Sequence, residues 1–323
     1  MTALRILLGR PREKRVKVRP KPDYWQKIHD LAVRNERPFA KAFRETMEAA
    51  AGSMSVEQMT GYLELDRPEL AIAMFNRDLV DAAYGQKLYP LVQTLMRKAA
   101  KLALPTVTQF GKQAPGDDDE AAVIRALLDL NNPEAIRAAA TLGASEVTNI
   151  VAATQRALRE IVTQAQTIGL SVPEQARRIA QELKKGVGLT APQVKTLARL
   201  TAEWETAGVA DLAGLKERMR KQMIRQRSLV IARNETMEAA NAGVDSLWNA
   251  AMDEGFLPTT IEREWVTQPG LNAMNPCPIC RPMDGQRRQM GEPFRSPYNN
   301  ATALRAPIHV QCMCVLVLVN PTA

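Results

Sequence analysis

His309-Val310-Gln311-Cys312-Met313-Cys314-Val315-Leu316-Val317-Leu318-Val319 sets two chemistries end to end. The first half offers an imidazole and two thiols. The second is a β-branched apolar run that reads as a strand and is far shorter than the roughly 20 apolar residues of a membrane span. The ligand-bearing half has a counterpart upstream, Cys277-Pro278-Ile279-Cys280, across a gap of 28 residues. All four cysteines of the 323-residue chain, and one of its two histidines, lie in these two stretches; the other histidine is His29.

A C-x-x-C turn folds as a knuckle that brings two sulfurs to one point, and Pro276 and Pro278 stiffen it. His309-x-x-Cys312 can supply the other half of a tetrahedral shell. Cys277, Cys280, His309 and Cys312 then form a Cys3His set suited to a structural Zn2+ ion. Cys314 is an alternative to Cys312, because residues two apart in an extended chain point to the same face. Two disulfides, or buried free thiols, are competing readings. The N-terminal apolar residues Leu4, Ile6, Leu7 and Leu8 form too short a run for a secretory signal, so a reducing cytoplasm is expected, where paired cysteines more often bind metal.

Catalysis is not expected at this site. Pro276-Cys277-Pro278-Ile279-Cys280 matches half of the zinc deaminase signature, but that motif needs an upstream H-x-E, and His29 is followed by Asp30-Leu31. A four-ligand shell leaves no position for water. No Ser-His-Asp set, Walker loop or G-x-G-x-x-G is present, so the reading is of a protein that is not an enzyme.

Working outward, Met237, Ala240, Val244, Leu247, Trp248 and Ala251 recur at helical spacing and predict a long helix from about Arg227 to Glu254, ended by Gly255 and Pro258. Glu264-Trp265-Val266-Thr267 reads as a strand. Upstream the pattern is helical from Tyr24 to about Leu104, with a capping-box pattern at Ser55-Val56-Glu57-Gln58 and a core-like stretch at Leu70–Leu79. Pro105, Pro115, Gly116 and the acidic run Asp117-Asp118-Asp119-Glu120 read as a loop leading into a helix. Two Ala-rich helices broken near Leu142-Gly143 are expected over 121–168. Ser171-Val172-Pro173-Glu174 and Thr190-Ala191-Pro192-Gln193 are matching start signals for an antiparallel helical hairpin. The fold class is mainly α, with a small α+β module at the C-terminal end. The expected organisation is a basic arm over 1–22, helical regions over 23–116 and 117–226, and the α+β module over 227–323.

Lys and Arg outnumber Asp and Glu by 43 to 35, a net charge of +8. The arm concentrates this charge in Arg10, Arg12, Lys14, Arg15, Lys17, Arg19 and Lys21, which read as a solvated tail or as a clamp on nucleic acid or an acidic partner. Lys216–Arg227 is also basic, with its cations spread around a helix, and reads mainly as a solvated face.

The last hundred residues resemble the phage head-morphogenesis family, the Mu F-like minor head proteins. Ile231-Ala232-Arg233-Asn234-Glu235-Thr236 is similar to that family's I-A-R-T-E-T helix segment. Trp265-Val266-Thr267 is similar to its W-x-T strand, and Cys277–Cys280 with Asp284-Gly285 to its C-x-x-C…D-G segment. Pro307–Cys314 is similar to its P-x-H-x-x-C-R-C ending, with Met313 in place of Arg. The resemblance implies a low-copy protein of a tailed-phage head, in the host cytoplasm during assembly and then in the virion. It would be associated with the portal protein and other capsid proteins at the portal vertex, and would contact packaged double-stranded DNA or aid its ejection. The competing expectations are a DNA-binding module scaffolded by zinc, and a metal-dependent hydrolase using Glu235 or Glu264. Arg233 and Glu235 otherwise read as an ion pair tying their helix to the zinc module, or as an exposed pair.

Overall fold

One 42-residue helix, Leu212–Asp253, organises the chain. The computed structural model describes residues 23–110, 133–166, 173–267 and 277–321. In chain order the elements are α1 (Asp23–Ser53), α2 (Val56–Glu64), α3 (Pro68–Ala73), α4 (Arg77–Lys87), α5 (Tyr89–Phe110), α6 (Pro133–Gln166), α7 (Pro173–Gly186), α8 (Ala191–Thr206) and the long α9 (Leu212–Asp253). Then follow β1 (Glu262–Val266), a 3-10 turn at Arg281–Met283, β2 (Arg287–Gln289), β3 (Phe294–Arg295), β4 (Thr302–Ala303) and β5 (Val315–Val319). The chain is mainly helical with a small antiparallel C-terminal sheet region, as its patterning predicts.

The Asp211 carboxylate caps α9 by accepting the Gly214 N–H at 2.9 Å. At the other end Gly255, at φ 76°, closes a Schellman turn: Phe256 N–H donates to Ala251 O at 2.8 Å and Gly255 N–H to Met252 O at 2.9 Å. The predicted helix end is therefore found. Its start is not, because α9 begins at Leu212 and the basic stretch Lys216–Arg227 belongs to the same helix. The boundary expected at 226/227 falls inside it.

Between Ala232 and Ala251 α9 is buried on two faces. Met237, Ala240, Val244, Leu247, Trp248 and Ala251 join Trp25, Ile28, Ala99, Ala103 and the C-terminal sheet in one core. Ala232, Ala239 and Ala242 join Phe39, Phe43, Phe75, Val92, Ile150 and Leu183 in a second. Small side chains let neighbours come close. A Cβ on Gly243 would run into the Met96 carbonyl and lie 2.7 Å from Met96 C and Cα, so the α5–α9 crossing needs glycine there. Trp248 Nε1–H donates to Thr106 Oγ1 at 3.0 Å, a second tie between the same helices.

Other boundaries differ from expectation. α5 continues through Pro105 to Phe110. A mid-helix proline removes a hydrogen bond, at about 3 kcal/mol, and here Ala99, Ala103, Thr106 and Val107 are buried around it. α6 runs unbroken through Gly143, and in its latter part Val147, Ile150, Thr154, Leu158 and Val162 form one buried stripe. α7 and α8 do not form a hairpin: each lies against α6, and α7 packs mainly on α2. Ser55 caps α2 by accepting Gln58 N–H at 3.2 Å and its hydroxyl donates to Glu57, while the return bond from Ser55 N–H to the Gln58 side chain that would complete the box is not made. The reciprocal bond occurs at α8, where Thr190 N–H donates to Gln193 Oε1 at 2.9 Å. Ala71, Ile72 and Phe75 of the core-like stretch are buried, and Leu70 is exposed. The basic arm with Arg10, Arg12, Lys14, Arg15, Lys17 and Arg19, the run Asp117–Glu120, and Ser171-Val172 lie outside the described residues.

The sheet has the order β2-β1-β5, all antiparallel. Trp265 pairs with Leu316 and Val266 with Val315, which sets the start of β5 beside the end of β1. β3 and β4 form a small separate hairpin.

Candidate metal centre

The ends of β1 and β5 carry the two ligand-bearing turns. Cys314 directly precedes β5, so the strand pairing fixes its position. Asn241 of α9 adds a tie, its side-chain amide donating to Met237 O at 2.9 Å and to Cys314 O at 3.2 Å. Thr267 follows β1. Its hydroxyl donates to Cys280 O at 2.9 Å, and its N–H donates to Asp284 Oδ1 at 2.8 Å. Ser296 Oγ–H donates to Ile279 O at 2.9 Å. Trp265-x-Thr267 and Asp284-Gly285 are therefore the parts that hold the first knuckle against the sheet.

Both turns are knuckles of the same kind. Cys280 N–H donates to Cys277 O at 3.0 Å, and Cys312 N–H donates to His309 O at 3.0 Å. In the second turn Gln311 adopts φ 63°, which turns the chain back on itself. The turns face each other. Cys277 Sγ lies 3.1 Å and Cys280 Sγ 2.9 Å from His309 Nε2, and Cys280 Sγ lies 3.7 Å from Cys312 Sγ. Two overlapping groups, Cys277–Cys280–His309 and Cys280–Cys312–Cys314, each have ligand atoms within 4.8 Å of one another. All five expected donors are thus brought together, and the cluster could hold a metal ion. All four cysteines are free thiols, so the disulfide reading is not the arrangement observed.

The imidazole is oriented for this role. His309 Nδ1 lies 2.8 Å from the Val310 carbonyl oxygen. A carbonyl only accepts, so Nδ1 carries the proton and Nε2 keeps its lone pair facing the sulfurs, the tautomer a metal-binding histidine uses. Among the thiols, Cys312 is held well below the ordinary range by S–H donation from Cys280 and then Cys314. Cys280 is pushed up by its contacts with Cys312 and Cys314 and then by burial. The Cys280 contact lowers Cys314, but the Cys312 contact and burial outweigh it. The Trp265 indole N–H, buried beside Cys314, favours its thiolate but is the weakest of these influences.

A buried cation anchors the same module and was not singled out from the sequence. Arg263 of β1 is 1 % exposed. Its Nη1 donates to Asp245 Oδ1 at 3.1 Å and to Leu304 O at 2.8 Å. Its Nη2 donates to Gln289 O at 3.0 Å and Glu292 O at 2.8 Å, and the guanidinium carbon sits 5.5 Å from the centre of the Phe294 ring. The chain between the two knuckles is therefore held in its middle by Arg263 as well as at its ends. Burial raises the Asp245 carboxyl despite Arg263 and Arg305, and burial lowers the Arg263 guanidinium despite Asp245. Removal from water outweighs the attraction of the pair. In the sequence Arg263 stands between Glu262 and Glu264, and nothing local marks it as buried.

Arg233 pairs elsewhere than the metal module. Its Nε and Nη2 donate to Glu36 Oε1 at 2.9 Å and Oε2 at 3.2 Å, a two-point tie between α9 and α1. Glu235 is buried at 4 % exposure. Glu264 pairs with Arg287 of the neighbouring strand, Nε to Oε2 at 2.9 Å. No helix among the described residues is long and apolar enough to cross a membrane. Compared with known proteins, the chain matches no family model, no curated protein and no solved structure.

Proposed function

We propose that Cys277, Cys280, His309 and Cys312 hold one structural zinc ion, and that the chain is a minor head protein of a tailed phage. The zinc assignment is supported by the mixed thiolate and imidazole donors and by one distance. Bonds of about 2.3 Å at a tetrahedral angle set two zinc-bound sulfurs about 3.8 Å apart, and Cys280 Sγ and Cys312 Sγ are 3.7 Å apart. The two sulfur–nitrogen distances, 3.1 and 2.9 Å, are shorter than the roughly 3.6 Å that a shared tetrahedral ion would set, so binding would move the imidazole slightly away from the sulfurs. Bound there, zinc would close the loop of 281–308 and supply a link between the knuckles without taking part in a reaction.

The head-protein reading rests on the ordered series of family-like segments. The observation that carries it is that Trp265, Thr267 and the two knuckles pack together, and that α9, which bears Ile231–Thr236 further along, backs them through Asn241. Ile231–Thr236 lies on α9, Trp265 and Thr267 sit at the end of β1, and the Cys277 and His309 knuckles close on each other beside it. On this reading the chain joins the head during assembly in the host cytoplasm and contacts the portal protein, other capsid proteins and packaged double-stranded DNA. The test is a particle purified from cells producing the phage with a tagged chain. The chain is expected at low copy in heads and cross-linked to the portal protein; its absence from heads would defeat the reading. Zinc is tested separately, by denaturing the reduced protein in the presence of a metal indicator, with release of about one ion per chain expected.

A further inference from the structure

The cations of α9 that read as a solvated face do not all face open solvent. Arg220, Lys221 and Arg225 border a groove of about 950 Å³, walled also by α1 and α7. Across from them stand Arg37, Arg44 and Lys184. Seven Lys and Arg side chains line this groove against one acid, Glu48. Glu182 and Glu217 neutralise part of the rim from outside, through Lys185 and through Arg220 and Lys221. Arg37 and Arg225 are exposed and have no ion-pair partner among the described residues.

The floor is of opposite character. Its accessible apolar surface comes from the half-buried Ala51, Val56, Ile224 and Leu229, over Ala40, Met47 and Val187, which are buried beneath. Hydrogen bonds between the walls hold it open: Arg44 Nη1 donates to Ser228 Oγ at 3.0 Å, Lys184 Nζ to Met54 O at 3.2 Å, and Arg220 Nη1 to Lys185 O at 3.0 Å.

We propose that this groove binds an acidic amphipathic helix of a partner protein. An apolar stripe at i, i+3 and i+7 would cover the floor, and flanking Asp or Glu would meet Arg37 and Arg225. Nucleic acid fits less well. A phosphate backbone would leave the apolar floor uncovered, and no aromatic side chain lines the groove to stack a base.

The test uses the full-length, reduced protein and a short fluorescein-labelled helix-forming peptide with leucines at that spacing and glutamates on its flanks, read by fluorescence anisotropy. The chain is expected to bind it, and a scrambled peptide of equal composition is expected to bind roughly tenfold more weakly. The double variant Arg37→Glu/Arg225→Glu alters exposed side chains only, and its fold is checked by circular dichroism. It is expected to weaken binding by roughly tenfold or more, while Arg37→Gln/Arg225→Gln gives an intermediate loss. Three results would overturn the proposal: no binding, equal binding of the scrambled peptide, or affinity unchanged in the charge-reversed variant, which would move the contact to the basic arm over 1–22. Displacement of the peptide by an equimolar duplex DNA would assign the groove to nucleic acid instead.

Discussion

Gly243 of α9 faces the Met96 backbone of α5 so closely that any side chain at 243 must part the two helices. Gly243→Ala is expected to destabilise the fold by about 1–3 kcal/mol, the range for overpacking a tight core, seen as a lower urea midpoint at unchanged slope. Gly85, on the exposed face of α4 with nothing within 4 Å of its would-be Cβ, is the control. Gly85→Ala should stabilise by about 0.5–1 kcal/mol through helix propensity. If the two substitutions behave alike, close helix approach is not what selects glycine at 243.

Serine substitution separates the donors. Cys280 lies in both donor groups, so Cys280→Ser is expected to abolish metal retention. Cys312→Ser should do the same, since Cys312 makes the 3.7 Å sulfur contact with Cys280. Cys314→Ser should retain about one ion per chain by elemental analysis. Loss of the ion in Cys314→Ser with retention in Cys312→Ser would exchange the two roles.

Arg263 holds three main-chain carbonyls and one carboxylate. Arg263→Ala strands Asp245 and those carbonyls without their donor, and should cost about 3–5 kcal/mol, as when one partner of a buried pair is removed. Hydrogen exchange should then rise at the amides of residues 287–304. The double variant Arg263→Met/Asp245→Leu should be milder than Arg263→Ala, because the buried carboxylate is removed together with the guanidinium. A double variant at least as damaging would place the value of Arg263 in its carbonyl bonds alone.

Glu238 supplies a pH dependence. Burial raises its carboxyl above the ordinary value, and nearby Arg305 only partly opposes this. The folded state therefore holds the proton more tightly than the unfolded one. Stability falls as pH rises from the unfolded pKa, about 4.3, through the raised folded value, and is flat above it. Glu238→Gln should remove that part of the slope, making the variant more stable than the parent at neutral pH and nearly equal to it below pH of about 4. Denaturation midpoints across this range decide the matter; parallel curves would show that Glu238 titrates alike in both states.

Much of the C-terminal module was legible because its signals are local. The stripe from Met237 to Ala251, the Gly255 stop, the Val315–Val319 strand and the clustered cysteines each depend on residues near in sequence. The start of α9 is harder to read, because its apolar positions Leu212, Leu215, Met219 and Met223 are interleaved with Lys216, Arg218, Arg220, Lys221 and Arg225, and the stretch reads as a separate basic helix. Pro105 misled because its local penalty is met by burial against α9, which lies far along the chain. The helical hairpin failed for the same reason: matching starts at Pro173 and Ala191 carry no information about α6 and α2, the surfaces those helices prefer. Arg263 escaped notice because its partners, Asp245, Gln289, Glu292 and Leu304, converge only after folding.

One α-helix carries both the groove and the backing of the metal centre. Arg220–Leu229 border the first, and Asn241 touches the second. From Leu229 to Asn241 the rise along the axis is about 18 Å, at 1.5 Å per residue, with no proline between. α9 is a ruler: whatever seats at one mark stands at a set distance and azimuth from the thiols at the other.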